Sequence, residues 1–439
     1  MGEVNDPRGG YVAVVGLGYV GLPLAVSLAA AGVDVVGVDV SAKVRESLRE
    51  GEVPFYEPGM TQALRALPEG RLTVVEQLPA APPHAVVICV GTAVSPETGR
   101  PALGHLEAAA DAVAAVAGED TLVVVRSTVP VGTCRETVLP RLRERVAEPL
   151  LAFCPERLIQ GRALAEVTTL PQIIGALDDR SRERARELHA HVTPDHVAVS
   201  SLEAAEMIKL ICNAHTDLIY GFGNEVAMMA APFGLDADEL ISSANLRYPR
   251  PDLSRPGFVG GSCLTKDPYL LTYGTSQGGY DAPLVTAARK VNESVPRFAV
   301  DRLLRALEAG GGRPAADAKV LVCGIAYKGR PETDDVRGAA SVDVARILGD
   351  TVRTLAGHDF LVPQHRIKEL GYQPAGLEEG MQDADGLILL TDHPGYAGIT
   401  ADAVRSRLRG PRVVFDMWGV AEDELGHADG ITYLRLGRG

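Results

Sequence analysis

A glycine-rich turn between a strand pattern and a helix pattern constrains the fold of this chain most. Residues 11–15 are all apolar, which predicts a strand buried on both faces, and Gly16-Leu17-Gly18-Tyr19-Val20-Gly21 follows directly. Residues 22–31 then have a helix pattern, and Asp39 ends the next predicted strand. In this setting GxGxxG predicts a dinucleotide site, where the glycines give a tight turn, room for a pyrophosphate and close helix packing. Asp39 can accept both ribose hydroxyls and would repel a 2′-phosphate, so the pattern favours NAD over NADP.

The strand and helix patterns continue to about residue 197. Strands are predicted at 86–90, 121–125 and 150–153, and polar residues follow their ends. Ligands of open α/β sheets bind beyond the carboxyl ends of the strands, so these residues are candidates for cofactor or substrate contacts and, for the glutamate, for a general base. As alternatives, the hydroxyls could be ordinary helix caps and the glutamate a solvated loop residue. The residues are Thr92, Ser127, Thr128 and Glu156.

The middle of the chain contains one long helical pattern. Ser200 and Glu203 form a predicted capping box, and the pattern continues to Phe233, which is much longer than a typical helix. It therefore predicts a link between domains or a dimer seam. Lys209 and Asn213 share one face and could stabilise a developing oxyanion. Three further polar residues extend this stripe, for which a solvated face is the ordinary interpretation: Asp217, Tyr220 and Asn224.

A lone cysteine follows a pair of glycines at Gly260-Gly261-Ser262-Cys263. If a helix starts just after Gly261, Cys263 lies in its first turn, where free amides favour a thiolate. Asp267, four residues on, would then share its face and could hold water beside a covalent adduct. The alternative is a buried structural cysteine. Arg247 and Arg250 precede this loop and could contact anionic groups.

The last part of the chain predicts a second α/β domain. A linker at 309–316 is followed by predicted strands at 319–322, 386–390 and 413–415, but GxGxxG is absent after the first of them. This Rossmann-like domain could hold another phosphate ligand through Lys328. We therefore expect an α/β fold with two Rossmann-like doubly wound domains, joined by a long central helix and a helical middle domain. The predicted domains are 1–197, 198–300 and 315–439.

Composition limits the classes of partner. The net charge is −14 without a dominant Lys/Arg cluster, which argues against a nucleic-acid or membrane partner. The six cysteines have no metal-like spacing, so we expect no metal site and free thiols in a reducing compartment. Residues 1–10 lack the pattern of a signal peptide and are expected to be disordered. These observations predict a cytoplasmic protein.

Together these motifs resemble the UDP-glucose/GDP-mannose dehydrogenase family, the nucleotide-sugar 6-dehydrogenases. The resemblance covers nearly the whole chain, and the motifs occur in the order that the family has. The matching segments are Gly16 to Ala25, Tyr56-Glu57-Pro58-Gly59, Ser127-Thr128-Val129-Pro130, Glu156, Lys209 with Asn213, Gly260 to Cys263, Lys266-Asp267 and Ala326-Tyr327-Lys328.

The resemblance implies an NAD-dependent four-electron oxidation of sugar C6 to a uronic acid, through a thiohemiacetal and a thioester on Cys263. We expect a homodimer or higher homo-oligomer, as the long helix indicates, and a role in polysaccharide biosynthesis. The implied catalytic residues are Cys263, Lys209, Asn213, Asp267, Glu156 and Thr128. The implied NAD contacts are Gly16, Gly18, Tyr19, Val20, Gly21, Asp39, Thr92, Ser127 and Arg337. The implied substrate contacts are Glu156, Arg157, Lys209, Asn213, Phe258, Gly260, Lys328 and, from a neighbouring subunit, Arg250.

The motifs point to two different sugars. The segment Glu156-Arg157-Leu158-Ile159-Gln160-Gly161 is similar to the branch that oxidises UDP-N-acetylglucosamine or UDP-N-acetylmannosamine, whereas Gly260-Gly261-Ser262-Cys263 is more typical of UDP-glucose 6-dehydrogenases. We favour an N-acetylhexosamine. Two other classes are a two-electron hydroxyacid-type oxidoreductase, which would not need Cys263, and a non-catalytic nucleotide-sugar-binding protein.

Overall fold

The structure is a computed structural model that describes residues 10–95, 98–248, 252–311 and 313–438. The chain forms two compact units: one comprises Met1–Cys212 with Tyr269–Ala282, and the other Asn213–Pro268 with Pro283–Gly439. The division into domains at 1–197, 198–300 and 315–439 stays a prediction. The prediction of a disordered N-terminus falls on residues 1–9, which lie outside the described part of the chain, and on residue 10.

The first unit is built on an eight-stranded sheet in the order β10-β9-β8-β7-β4-β1-β2-β3, with a separate two-stranded sheet of β5 and β6. The strands are β1 (Val12–Val15), β2 (Val35–Val38), β3 (Leu72–Val75), β4 (Ala85–Ile88), β5 (Ala93–Val94), β6 (Pro101–Ala102), β7 (Leu122–Val125), β8 (Leu150–Phe153), β9 (Gln172–Ala176) and β10 (His196–Ala198). The six strands from β8 to β3 are parallel. β9 pairs antiparallel with β8, which the sequence analysis did not predict.

Alternate residues of each central strand enter two different cores. Val12 and Val14 belong to one apolar cluster, while Ala13, between them, belongs to the other. Helices cover both faces of the sheet because both sets of side chains must leave water. Seven α-helices of the described residues lie wholly in this unit: α1 (Gly21–Ala30), α2 (Ala42–Arg49), α3 (Met60–Arg65), α4 (Gly104–Val116), α5 (Leu139–Arg143), α6 (Ala163–Thr169) and α7 (Asp179–Ala190).

The predicted long helix is α8 (Leu202–Ala230), whose residues belong partly to each unit. The capping prediction is wrong by one residue, because Ser201, not Ser200, accepts from the Ala204 amide with its hydroxyl. A 3-10 turn at Ala231–Phe233 follows, and Gly234 ends it in the left-handed conformation, as glycine at this position does most easily.

The second unit contains a parallel six-stranded sheet in the order β13-β12-β11-β14-β15-β16. Its strands are β11 (Lys319–Cys323), β12 (Thr354–His358), β13 (Gln373–Pro374), β14 (Gly386–Leu389), β15 (Val413–Asp416) and β16 (Thr432–Arg435). The remaining α-helices of the described residues are α9 (Ala237–Asn245), α10 (Gly261–Leu264), α11 (Asp267–Gln277), α12 (Pro283–Ala309), α13 (Ala340–Leu348), α14 (Gln364–Glu369), α15 (Leu377–Met381), α16 (Ala401–Arg407) and α17 (Glu422–Leu425). Of these, α11 belongs to the first unit from Tyr269 onward. Along β11, Val320 and Val322 face one core, and Leu321 and Cys323 face the other. The prediction of two Rossmann-like α/β domains is confirmed.

Candidate active site

The glycine-rich turn has the geometry that a dinucleotide site needs. Gly16 has a φ of +94°, and a Cβ there would lie 2.7 Å from the Cys89 carbonyl oxygen. A Cβ on Gly21 would overlap the Gly16 carbonyl oxygen, so the third glycine lets α1 start close to β1. No described atom lies within 4 Å of a Cβ on Gly18, which leaves open space beside the turn. These residues fit a bound pyrophosphate.

Asp39 closes the turn from the end of β2. Its Oδ2 accepts from the Leu17 amide and its Oδ1 from the Ser41 amide, both at 2.9 Å. Each carboxylate oxygen keeps a second acceptor direction, so Asp39 can still receive ribose hydroxyls. Among the other candidates in this turn, Tyr19 packs on Phe55 with 4.1 Å between the centroids of the two rings, and Val20 is the N-cap of α1.

Hydrogen bonds join the predicted residues that follow β4 and β7. Thr92 Oγ1 donates to the Thr128 carbonyl oxygen at 2.6 Å, and Ser127 Oγ donates to the Val90 carbonyl oxygen at 2.7 Å. The two strand ends are therefore held together, at the edge where ligands of open α/β sheets bind.

Glu156 follows β8 and forms a buried ion pair with Lys209 of α8. Lys209 Nζ lies 2.9 Å from Glu156 Oε1, and the two side chains are 5% and 7% exposed. Burial raises the pKa of Glu156, but the charge and hydrogen bond of Lys209, the Leu158 amide and the Arg126 charge together lower this pKa below its ordinary value. The structure therefore holds Glu156 ionised, which contradicts the alternative of a solvated loop residue.

Glu57 and Arg157 fix the segment that follows Glu156. Glu57 accepts from the amides of Gly161 and Ala163, which holds the segment that follows Glu156. Arg157 Nη2 donates to the Pro171 carbonyl oxygen at 2.6 Å, which closes the same segment. The motif around Glu57 contributed to the resemblance, but its partners are more than a hundred residues away, so this role could not be predicted from sequence.

Glu206, one turn before Lys209, was not predicted as a site residue. It is fully buried and accepts from the amides of Gly132 and Cys134 at 2.6 and 2.8 Å, at the start of the short π-helix Cys134–Val138 that follows Thr128 in the chain. Burial raises the pKa of Glu206 to about 7, against the effect of the two amides. The sequence signal that could have identified Glu206 is its position three residues before Lys209, on the same face of α8.

Cys263 is exposed and is the third residue of the short helix α10. This position contradicts the alternative of a buried structural cysteine. The expectation that Asp267 shares a helix face with Cys263 is wrong, because α10 ends at Leu264 and Asp267 starts the separate helix α11. Asp267 is fully buried, and it accepts from Asn213 Nδ2 at Oδ2 and from Lys266 Nζ at Oδ1.

The glycines before Cys263 are required by close contacts in the second unit. A Cβ on Gly257 would lie 2.3 Å from the Trp418 ring, and one on Gly260 would lie 2.2 Å from the Gly338 carbonyl oxygen. Gly261 has a φ of +86°, and its Cβ would lie 2.8 Å from the Tyr327 ring. The side chain of Phe258, a predicted substrate contact, is buried in the core, which leaves its backbone for such a contact.

Two other predicted site residues, Arg337 and Lys328, are next in sequence to Gly338 and Tyr327, which contact the glycines before Cys263. Arg337 precedes Gly338 and forms a bidentate ion pair with Asp335. Lys328 follows Tyr327, and its Nζ lies 5.3 Å from the centre of that ring. The segments that carry a predicted cofactor contact and a predicted phosphate ligand therefore pack against residues 257–264, the Cys263 loop.

The polar stripe on α8 is not a solvated face throughout. Asp217 and Asn224 are fully buried, because residues of α12 hydrogen-bond to both of them. Arg250 lies outside the described residues, so its contact with substrate stays a prediction. The described residues contain no group of three or more His, Cys, Asp and Glu that could hold a metal ion, and none of the six cysteines, all of which are described, forms a disulfide. None of the helices within the described ranges is long and apolar enough to cross a membrane.

Comparison with known proteins identifies the family. Models of the UDP-glucose/GDP-mannose dehydrogenase family match at residues 11–193 (NAD binding domain), 203–294 (central domain) and 321–423 (UDP binding domain). The UDP-N-acetyl-D-mannosamine dehydrogenase of Pyrococcus horikoshii is 32% identical over 439 residues, covering 98% of this chain and 99% of the relative.

Two solved structures of similar sequence share the fold. A UDP-D-ManNAc dehydrogenase from Pyrococcus horikoshii has a TM-score of 0.88 at 31% identity, covering 98% of this chain and 99% of the other. A UDP-glucose dehydrogenase from Pyrobaculum islandicum has a TM-score of 0.85 at 30% identity, with both chains covered completely. The chain belongs to the UDP-glucose/GDP-mannose dehydrogenase family and is an NAD-dependent nucleotide-sugar dehydrogenase.

Proposed function

We propose that this enzyme oxidises the C6 hydroxymethyl group of a UDP-sugar to a carboxylate and holds the intermediate covalently on Cys263. The observation that carries this proposal is the exposed thiol of Cys263, followed within four residues by a fully buried Asp267. An alcohol-to-aldehyde oxidation alone would need no nucleophile. A thiol that binds the aldehyde carbon prevents its release until the second oxidation is complete.

NAD, when bound, accepts one hydride in each of the two oxidations. The residues proposed to hold it in the first unit are Gly16, Gly18, Tyr19, Val20, Gly21, Asp39, Thr92 and Ser127. The open space beside Gly18 and the acceptor capacity of Asp39 support this assignment. Arg337, in the second unit, is proposed to contact NAD through its guanidinium group.

In the proposed chemistry, Cys263 Sγ forms a bond to the aldehyde carbon and gives a thiohemiacetal. After the second oxidation the same carbon is a thioester, and water breaks the C–S bond to release the carboxylate and the free thiol. Asp267, held by Asn213 and Lys266, and Thr128 are proposed to assist proton transfer and to orient that water.

Lys209 and Asn213 are proposed to stabilise the oxyanions that develop at C6. The Lys209 ammonium lies 2.9 Å from Glu156 Oε1, which holds it in place, and Asp267 orients the Asn213 amide by accepting one of its N–H groups. Glu156 is proposed as the group that exchanges protons with the substrate. Its lowered pKa leaves it in the base form at neutral pH.

We propose a UDP-N-acetylhexosamine as the substrate. UDP-N-acetylmannosamine is the preferred candidate, because the 32% identical relative from Pyrococcus horikoshii is named a UDP-N-acetyl-D-mannosamine dehydrogenase. The backbone of Phe258 and Gly260, with Arg157, Arg250 and Lys328, is proposed to bind the nucleotide sugar. UDP-glucose is the alternative, since a similar solved structure is a UDP-glucose dehydrogenase.

A panel of nucleotide sugars, assayed for NADH formation and for the acid product, tests both parts of this proposal. We expect two NADH per sugar for the correct substrate, and we expect Cys263→Ser to release no uronate. The control is Cys212→Ser, because Cys212 is the other exposed cysteine of the described residues. One NADH per sugar with free aldehyde as the product, or full turnover by Cys263→Ser, would contradict the covalent mechanism.

We also propose a cytoplasmic homodimer that uses α8. Met207, Ile211, Phe222 and Met229 are between 38% and 53% exposed in the single chain. At about 100° per residue they lie within about 60° of one another around the helix axis, which makes one apolar face. Sedimentation equilibrium of Phe222→Glu against the unchanged protein tests this: we expect a shift towards monomer, and an unchanged mass would contradict the use of this face.

A further inference from the structure

A continuous chain of buried side chains in the second unit joins the two ends of the Cys263 loop, residues 257–264. At the first end, Asn224 of α8 pairs with the backbone of Gly257: its Nδ2 donates to the carbonyl oxygen at 2.9 Å, and its Oδ1 accepts from the amide at 2.7 Å. At the second end, Arg289 Nη1 of α12 donates to the Leu264 carbonyl oxygen at 2.9 Å. Leu264 is the residue directly after Cys263.

Asp217 and Asn292 complete the connection between these two ends. Asn292 Oδ1 accepts from Asn224 Nδ2, and Asn292 Nδ2 donates to Asp217 Oδ1, both at 2.8 Å. Arg289 Nη1 donates to the same Asp217 oxygen at 2.6 Å. The path therefore runs from Gly257 through Asn224, Asn292, Asp217 and Arg289 to Leu264.

Stability alone does not account for this arrangement. All four side chains are at most 1% exposed, and the hydration energy that an ion pair loses on burial can exceed the attraction that it gains. Within the described residues, Arg289 Nη2 and Asp217 Oδ2 lack hydrogen-bond partners, which adds a further cost. Apolar residues would pack α8 against α12 at lower cost, but they could not hold backbone groups at both ends of a loop.

We propose that Asn224, Asn292, Asp217 and Arg289 are positioning residues that fix the Cys263 loop for reaction. The inference depends on the proposed function, since it takes Cys263 as the nucleophile. The contacts define the backbone before and after Cys263, whereas the thiol itself lies at the surface. Misplacing a reacting group by about 1 Å can reduce a rate about 100-fold, so loosening either end should slow the chemistry more than it weakens cofactor binding.

The test combines turnover with the rate at which iodoacetamide alkylates Cys263 in the full-length protein, located by peptide mass spectrometry. Asn224→Ala loosens the first end, and Arg289→Met loosens the second. We expect each to reduce kcat at least about tenfold, to change the KM for NAD by less than about twofold, and to change the alkylation rate at least about fivefold. Arg289→Lys, which keeps a donor, should recover part of the loss.

Val295→Ala is the matched control, because Val295 is fully buried on α12 but contacts the apolar core instead of the polar chain. We expect it to lower the melting temperature while kcat and the alkylation rate stay within about twofold of the unchanged protein. Equal effects of Val295→Ala and the network variants, or normal alkylation in both network variants, would overturn the proposal. If Arg289→Met does not fold, Asn224→Ala and Arg289→Lys decide the question. Alkylation needs no turnover, so a protein that oxidises no nucleotide sugar would refute the proposed function and leave this test intact.

Discussion

Lys209 Nζ lies 2.9 Å from Glu156 Oε1, and neither side chain has appreciable access to solvent. Lys209→Met would leave the Glu156 charge buried without its partner. We expect this change to reduce the free energy of unfolding by about 3–5 kcal/mol, measured by urea denaturation at pH 7. The pKa of Glu156 should also rise, because the charge and hydrogen bond of Lys209 are the main effects that lower it.

The double variant Lys209→Met with Glu156→Gln is the control, because it removes both charges. We expect it to recover at least about 2 kcal/mol relative to Lys209→Met alone. If the double variant is as unstable as the sum of the two single variants, the pair is not coupled and the assignment of an ionised Glu156 is wrong.

The turn at residues 16–21 and the Cys263 loop show what local sequence can predict. Both contain a glycine with a positive φ, Gly16 and Gly261, and this conformation is a local property that glycine adopts most easily, so the pattern identifies them. The close contacts of these glycines with Cys89 and Tyr327 are long-range and could not be predicted. The break between α10 and α11 was missed because Cys263 and Asp267 have helix spacing, and nothing in that spacing reveals two separate helices.

The burial of Asp217 and Asn224 could not be predicted for a different reason. Their partners on α12 lie 68–75 residues along the chain, so the stripe on α8 looks like a solvated face until the two helices pack. The same holds for Glu206, whose partners lie 72 and 74 residues earlier. Long-range contacts of this kind are set by the tertiary fold, which periodicity does not contain.

Glu206 should make stability depend on pH near neutrality. Its pKa is about 7 in the folded protein and about 4.3 in an unfolded chain, so between these values the folded state binds more protons. The unfolding free energy should therefore fall as pH rises from 5 to 8, by up to about 3 kcal/mol from this group. The Gln side chain of Glu206→Gln cannot ionise, so this loss is absent from the variant. The unfolding free energy of the variant minus that of the unchanged protein should therefore increase as pH rises from 5 to 8.

Urea denaturation at pH 5, 6, 7 and 8 measures this difference. Glu203→Gln is a suitable control, because Glu203 lies on the same helix but its pKa is lowered, first by the hydrogen bond from Arg135. Its carboxylate stays ionised across the whole range, so its curve should run parallel to that of the unchanged protein. A Glu206→Gln curve that is also parallel would show that Glu206 does not titrate between pH 5 and 8.

Asp39 should decide between NAD and NADP. Its carboxylate closes the turn at the end of β2, where it would repel the 2′-phosphate of NADP. We expect Asp39→Ser to raise the ratio of kcat/KM for NADP to that for NAD about tenfold or more, equivalent to about 1.4 kcal/mol. Asp34→Ser is the control, because Asp34 precedes the opposite end of β2 and pairs with Arg71 at the surface. An unchanged ratio in Asp39→Ser would mean that Asp39 does not contact the ribose.

The glycines at 257 and 261 should tolerate no side chain, for two separate reasons. Gly257→Ala would place a Cβ 2.3 Å from the Trp418 ring, while Gly261→Ala would place one 2.8 Å from the Tyr327 ring at a φ of +86°. We expect each to reduce the free energy of unfolding by about 1–3 kcal/mol and to lower turnover, since both lie in the Cys263 loop. Gly398→Ala is the matched control in the same unit, because no described atom lies within 4 Å of its Cβ and its φ is not in the left-handed region. If Gly261→Ala is as stable as Gly398→Ala, the backbone before Cys263 is free to rearrange, and neither its conformation nor its contact with Tyr327 constrains the loop.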